Sequence, residues 1–225
     1  MTDYQLKTTS DGSNTIFIPQ INEQYHSLNG AVTESMHVFI EHGYIFSSSI
    51  SPVILEIGFG TGLNCLLTAM KAEQLKRPTT YLTVDNNILP SELISQLNYG
   101  KILPGKSKRL FSTIHEAPWA KKTTVSDYFT LQKINADVTN PDWHLSDFCN
   151  VVYFDAFGPD KQPEMWTEKI FSIIFEAMLP GGVFVTYSAK GEVRRQLTHI
   201  GLTVNRLPDP PGKKEMLRGI KRSIK

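Results

Sequence analysis

From residue 52 onward, short apolar runs alternate with amphipathic stretches. Pro52-Val53-Ile54-Leu55-Glu56-Ile57 runs into glycines, the pattern of a strand buried on both faces. Leu63, Leu66, Leu67, Met70 and Leu75 recur at helical spacing and predict an amphipathic helix over 63–76. Further strands are expected at 81–84, 125–134, 151–154 and 183–187. Helices are expected at 91–98, at 165–178 before Pro180-Gly181-Gly182, and at 190–200 before Gly201. Residues 202–206 and 215–220 read as a closing hairpin, and 99–123 has no clear period. Ahead of this series, 5–18 reads as a hairpin about Ser10-Asp11-Gly12-Ser13. A helix follows at 31–42, with Val32, Met36 and Phe39 on one side and a stop at Gly43.

Apolar strands that alternate with helices imply an α/β fold, with a mainly parallel sheet covered on both faces. Counting the final hairpin, the central sheet is expected to have seven strands. The natural division is an extension over 1–45 and a main domain over 46–225. In such sheets ligands bind at the carboxyl ends of the strands, near the point where strand order reverses.

Composition is that of an ordinary globular chain, 40% hydrophobic and 20% charged, so it excludes little. No apolar run approaches the length of a membrane span and the first ten residues are polar, so nothing marks the chain for a membrane or for export. Two cysteines, Cys65 and Cys149, make no disulfide framework and have no metal-ligand spacing; a reducing cytoplasm is the expected setting. Net charge is only +1 but uneven: 190–225 holds ten Lys/Arg against three acids, while 1–50 holds Lys7 against five. The basic end suits phosphates or is simply a solvated face.

The candidate chemistry sits just after the strands. Glu56-Ile57-Gly58-Phe59-Gly60-Thr61-Gly62 opens the 63–76 helix. Its Gly-x-Gly-x-Gly spacing differs from the Gly-x-Gly-x-x-Gly that cradles a pyrophosphate, and no P-loop lysine follows. Tight packing alone would also use these glycines. Glu56, however, would favour a cationic amino-acid group, directly or through water. Asp85 follows the 81–84 strand, where a carboxylate can accept both hydroxyls of a ribose; it also reads as a turn cap. Asp137 follows the 125–134 strand, where it can accept from an adenine amino group or serve as a loop residue. With the glycine turn, these acids match in order the amino-acid, ribose and adenine parts of S-adenosylmethionine.

The 151–154 strand ends in Asp155-Ala156-Phe157-Gly158-Pro159-Asp160-Lys161-Gln162-Pro163-Glu164-Met165-Trp166. A carboxylate at Asp155 would stand beside the reactive end of such a cofactor, able to hold an amine or accept a proton. Phe157 and Trp166 can stack on a base, although a Trp at a helix start also serves as a packing anchor, and Lys161 as a solvated charge. This string, together with Gly58-Phe59-Gly60-Thr61-Gly62-Leu63-Asn64, Tyr25-His26-Ser27 with Gly30-Ala31 and Glu34, Val193-Arg194-Arg195-Gln196-Leu197 and Lys213-Lys214-Glu215-Met216-Leu217, resembles the MnmC-like methyltransferases over roughly residues 20–220. The chain departs from that family's pattern at Ala136-Asp137, at Asp85 where Glu is common, and at Pro208-Asp209-Pro210-Pro211-Gly212.

The resemblance implies a Rossmann-like class I methyltransferase fold and S-adenosyl-L-methionine as cofactor. It implies methylation of 5-aminomethyl(-2-thio)uridine at the tRNA wobble position, with Asp155 catalytic. Tyr25, Glu56, Gly58, Phe59, Gly60, Gly62, Asn64, Asp85 and Asp137 are then expected at the cofactor. Phe157, Lys161, Trp166, Arg194, Arg195, Lys213 and Lys214 are expected at the tRNA anticodon stem-loop, with Arg218 and Lys221 as further phosphate contacts. The chain ends near the methyltransferase boundary, so a separate FAD-dependent oxidase is expected to act upstream. Rival readings are a spermidine-synthase-like aminopropyl transferase, a methyltransferase for a small-molecule or protein amine, and a non-catalytic cofactor sensor.

Overall fold

The structure, a computed structural model, describes residues 3–140, 146–208 and 215–222. The chain opens with β1 (Gln5–Thr8), β2 (Asn14–Ile18) and β3 (Glu23–Gln24), a small antiparallel sheet. Gly12 turns the first hairpin at φ +80°, as the Asp-Gly signal predicts. Helix α1 (Ala31–Ser35) continues in wider π-helical winding over Met36–Ile45. Arg77 ties down the end of that stretch by donating to the carbonyls of Tyr44, Ser47 and Ser49.

The main series is β4 (Val53–Ile57), α2 (Leu63–Leu75), β5 (Thr79–Asp85), α3 (Ser91–Ile94), α4 (Tyr99–Ile102), α5 (Ser107–Glu116), β6 (Lys122–Ser126) and β7 (Phe129–Asn135). It continues with β8 (Cys149–Phe154), α6 (Glu168–Ala177), β9 (Met178–Thr186), α7 (Gly191–His199), β10 (Leu202–Pro208) and β11 (Glu215–Lys221). The central sheet has eight strands in the order β10-β11-β9-β8-β4-β5-β7-β6. Strands β9, β8, β4, β5 and β7 are parallel, and both edges are antiparallel. The extra strand comes from 125–134, expected as one strand; it is β6 folded back on β7 through Asp127 and Tyr128.

Helices cover both faces. The N-terminal helix, α2 and α5 pack on one face through Val38, Phe39, Leu66, Leu110 and Ile114. Helices α6 and α7 pack on the other through Ile170, Phe171, Val193 and Leu197. Buried Lys133 caps α5, its Nζ donating to the carbonyls of Ile114 and His115 at 2.9 and 3.1 Å. Strand order reverses between β4 and β8, and the carboxyl ends of β4, β5, β7 and β8 meet there. No helix of the described residues is long and apolar enough to cross a membrane.

Candidate active site

At the strand reversal lies a cavity of about 340 Å³, lined by the glycine turn and by Asp85, Asp137 and Asp155. That volume suits a small organic ligand. The turn needs its glycines at two points. Gly58 sits at φ +92°, and a Cβ there would stand 2.6 Å from the Asp155 carbonyl oxygen. Gly60, at φ +49°, presses against the Tyr25 ring, which a Cβ would meet at 2.9 Å. Its amide donates to Asp85 Oδ2 at 2.9 Å, tying the turn to β5. His115 steadies the turn from behind through Nε2 and the Thr61 carbonyl, 3.2 Å apart. Burial and nearby Lys133 push that imidazole down to about 4, so it is neutral and donates.

These contacts carry a prediction. In Gly60→Ala the Cβ must displace Tyr25 or shift the turn, and either reshapes the wall facing the cavity. Donor affinity measured by calorimetry should fall roughly tenfold or more. An unchanged Kd would show that the turn does not touch the donor.

Three of the expected cofactor acids separate here. Asp85 faces the cavity while Oδ1 accepts from the Asn87 amide at 2.7 Å; burial holds its carboxyl above the usual range. Asp137 also lines the cavity, its Oδ1 accepting from the Thr139 amide at 2.8 Å. Glu56 does not line it. Its side chain lies across the sheet from Thr83 and Tyr153 in register, fully buried, and is pushed up to about 8 by burial. Thr83, Tyr81 and Asn64 surround it and offset only part of the effect of burial. The expectation that Glu56 meets the donor is therefore corrected. Strand alternation turns residue 56 toward α2, and only the chain after Ile57 bends into the cavity.

Asp155 is held from α2, whose Asn64 donates through Nδ2 to Asp155 Oδ2 at 2.8 Å. Phe157 faces the cavity edge-on to Tyr25, ring centroids 5.0 Å apart. Trp166 does not stack outward. It is 4% exposed, packed against Phe154 and Phe171, and its Nε1 donates to the Phe157 carbonyl at 2.7 Å. It is the packing anchor of the loop, a second correction. Lys161 donates to the Ile21 carbonyl at 2.9 Å and so clips the loop to the N-terminal segment. Tyr187, missed in the sequence, closes the cavity from the end of β9, its hydroxyl donating to the Ala156 carbonyl at 2.8 Å. Its place directly after a strand is the signal that could have found it.

Among the basic candidates, Arg194 and Arg195 are exposed on α7. Lys213 and Lys214, with the 209–212 loop, lie outside the described residues. Arg218 and Lys221 are given to the fold, which corrects their reading as phosphate contacts. The Arg218 guanidinium stacks 3.5 Å over Phe46, and Lys221 Nζ donates to the carbonyls of Phe175 and Met178.

The family model described as S-adenosyl-L-methionine-dependent methyltransferase matches residues 109–222, just over half of the chain. The chain belongs to this methyltransferase family. The methyl donor is accordingly S-adenosyl-L-methionine, and the residues present fit it: a glycine cradle that a Cβ would fill, and carboxylates at successive strand tips. Among its relatives, the tRNA 5-methylaminomethyl-2-thiouridine biosynthesis bifunctional protein MnmC of Actinobacillus pleuropneumoniae is 30% identical over 237 residues, covering 94% of this chain and 34% of that protein. The MnmC protein of Cupriavidus metallidurans is 27% identical over 219 residues, covering 92% and 32%. The methyltransferase thus spans about a third of the length of these curated relatives. Its fold is shared with MnmC2 from Aquifex aeolicus, at TM-score 0.78 and 23% identity over 100% of this chain and 74% of that one. It is shared more distantly with spermidine synthase from Thermotoga maritima, at TM-score 0.58 and 12% identity over 98% and 73%.

Proposed function

We propose that this methyltransferase acts on the exocyclic primary amine of 5-aminomethyl(-2-thio)uridine at the wobble position of tRNA, giving the 5-methylaminomethyl form. The observation that carries the reading is Asp155, fixed by Asn64 inside the cavity of the glycine turn. The likeness to MnmC proteins supports the choice of substrate. S-adenosylmethionine supplies an electrophilic methyl group on a sulfonium. Asp85 is assigned to the ribose hydroxyls, Asp137 to the adenine amine, and Tyr25 and Phe59 to the walls. A free alkylamine is mostly protonated at neutral pH, so its lone pair must first be freed. A carboxylate is a weak base for an ammonium, and Asp155 is assigned to accept a hydrogen bond and aim the nitrogen. The nitrogen–methyl bond then forms as the sulfur–methyl bond breaks, and the amine proton leaves to solvent. Alignment of this kind contributes as much as ~7–11 kcal/mol in favourable cases.

In this reading residues 1–45 extend the donor-binding domain of 46–225, and an FAD-dependent oxidase acting upstream supplies the free amine. The setting would be the cytoplasm, where tRNA is modified. Arg194 and Arg195 are assigned to anticodon-stem phosphates. Lys101, Lys106, Lys108, Arg109, Lys121 and Lys122 are also exposed and are further candidates for phosphate contacts. Reversing both charges in Arg194→Glu/Arg195→Glu should raise KM for tRNA and reduce the salt slope of binding by about two, with donor Kd unchanged. An unchanged slope would remove α7 from the interface.

The deciding experiment is nucleoside analysis of tRNA from a strain lacking the gene, where 5-aminomethyl-2-thiouridine should accumulate. Purified protein should then methylate that tRNA. Absence of both would refute the reading. Aminopropyl transfer is kept as a second reading, because Glu23 and Glu34 bring more acids to the cavity than sequence reasoning placed there. Calorimetry with S-adenosylmethionine against its decarboxylated form separates the two.

A further inference from the structure

The cavity wall carries five carboxylates, Glu23, Glu34, Asp85, Asp137 and Asp155, and among the described residues no Lys or Arg lines it. Whatever occupies it must bring the positive charge. The proposed donor accounts for Asp85 and Asp137, at the tips of β5 and β7. The other three line the same cavity from different elements. Glu23 comes from β3 and Glu34 from α1, both in the N-terminal segment, whereas Asp155 follows β8. Their common neighbour is Tyr187, whose phenol is pushed up by burial first and then by the charges of Asp155, Glu34 and Glu23. Glu34 is set in place by the Ser27 amide, which donates to its Oε2 at 3.1 Å, and Ser27 also lines the cavity.

We propose that Glu34 and Glu23 complete, with Asp155, an acidic subsite that selects a uridine substituent ending in a cationic amine over an isosteric neutral one. The inference rests on the aminomethyl reading above and deepens it. A single carboxylate can aim a nitrogen, but a neutral hydroxyl would satisfy the same hydrogen bond. Three converging charges in a partly desolvated pocket discriminate by charge, since attraction to an ammonium there is less screened than in water. Asp155 touches the reacting nitrogen; Glu34 and Glu23 act on binding and choice of substrate. The N-terminal extension is thereby a specificity element.

The test compares two anticodon stem-loops that differ in one group, a 5-aminomethyl or a 5-hydroxymethyl substituent on the wobble uridine. Binding is measured with S-adenosylhomocysteine present, and turnover is measured for the amine. Glu34→Gln is nearly isosteric and keeps an oxygen for the Ser27 amide. It should raise KM for the aminomethyl RNA about tenfold with kcat within about threefold, and leave hydroxymethyl binding unchanged. The preference for amine over hydroxyl should therefore drop about tenfold, and Glu23→Gln should act in the same direction. A purely structural role would weaken both RNAs equally or lower donor affinity. If Glu34→Gln loses donor binding, Glu23→Gln carries the comparison alone. An unchanged amine preference in folded variants overturns the subsite. Failure of the wild-type protein to methylate the aminomethyl RNA overturns the functional reading instead, so the two failures are told apart.

Discussion

Replacing Asp155 with Asn should lower kcat about a thousandfold while leaving donor affinity nearly unchanged. The substitution keeps size and keeps an oxygen for the Asn64 amide, which now donates to Asp155 Oδ2 at 2.8 Å. Lost is the negative charge that aims the amine and steadies the positive charge on nitrogen as its bond to carbon forms. Donor contacts proposed at Asp85, Asp137 and the glycine turn lie on other strand tips and remain. Single-turnover rates at saturating tRNA, beside calorimetry for the donor, separate chemistry from binding. Turnover of variant and wild type alike should rise with pH toward the amine pKa of about 10, because solvent takes the proton in both. A variant that turns over at the wild-type rate would show that Asp155 only shapes the loop. Asn64→Ala should reproduce part of the loss, since it removes the group that fixes the carboxylate.

The legible parts of this molecule are those where a single physical demand dominates. Strands β4, β5 and β8 are buried on both faces, so their apolar runs show directly in the sequence. The glycine turn is legible because close approach to Asp155 and Tyr25 leaves no room for a Cβ. Other parts answer to two demands at once. Helix α5 buries Leu110, Phe111 and Ile114 on one clear face, but it is only ten residues long and follows the four-residue α4 and a loop through Pro104 and Gly105, so its period is lost within the broken stretch of 99–123. The β6–β7 turn is made by Asp127 and Tyr128 with no glycine or proline, and two strands read as one. Side-chain direction is not set by residue type. Trp166 and Arg218 have residue types suited to ligands, but neighbouring aromatic rings claim them. Glu23 and Glu34 come from elements far in sequence from the strand tips, so only the fold brings them to Asp155.

Glu56 gives the second large effect, on stability rather than turnover. Its carboxyl has an ordinary value of 4.5 and is pushed up to about 8 in the folded protein, first by burial. In the unfolded chain it ionises above 4.5, while the folded chain keeps it protonated until about 8. The folded state therefore binds the extra proton between these values, and stability from this group is full below 4.5, declines as pH rises to about 8, and is constant above. Each unit of pH in that window costs about 1.4 kcal/mol, several kcal/mol in all. The neutral acid also carries a proton that the buried Asn64 Oδ1 or the Tyr81 and Thr83 hydroxyls can accept, atoms that otherwise meet no partner. Glu56→Gln removes the ionisation and keeps the shape. Urea unfolding at pH 5, 6.5 and 8 should show wild-type stability falling across the series and the variant's curve flatter, with the gap widest at pH 8. Donor affinity at neutral pH should stay within a few-fold, because the side chain lies behind the turn and not in the cavity. Parallel curves for the two proteins would mean that Glu56 folds as a carboxylate, and a large loss of donor affinity would return it to the cofactor site.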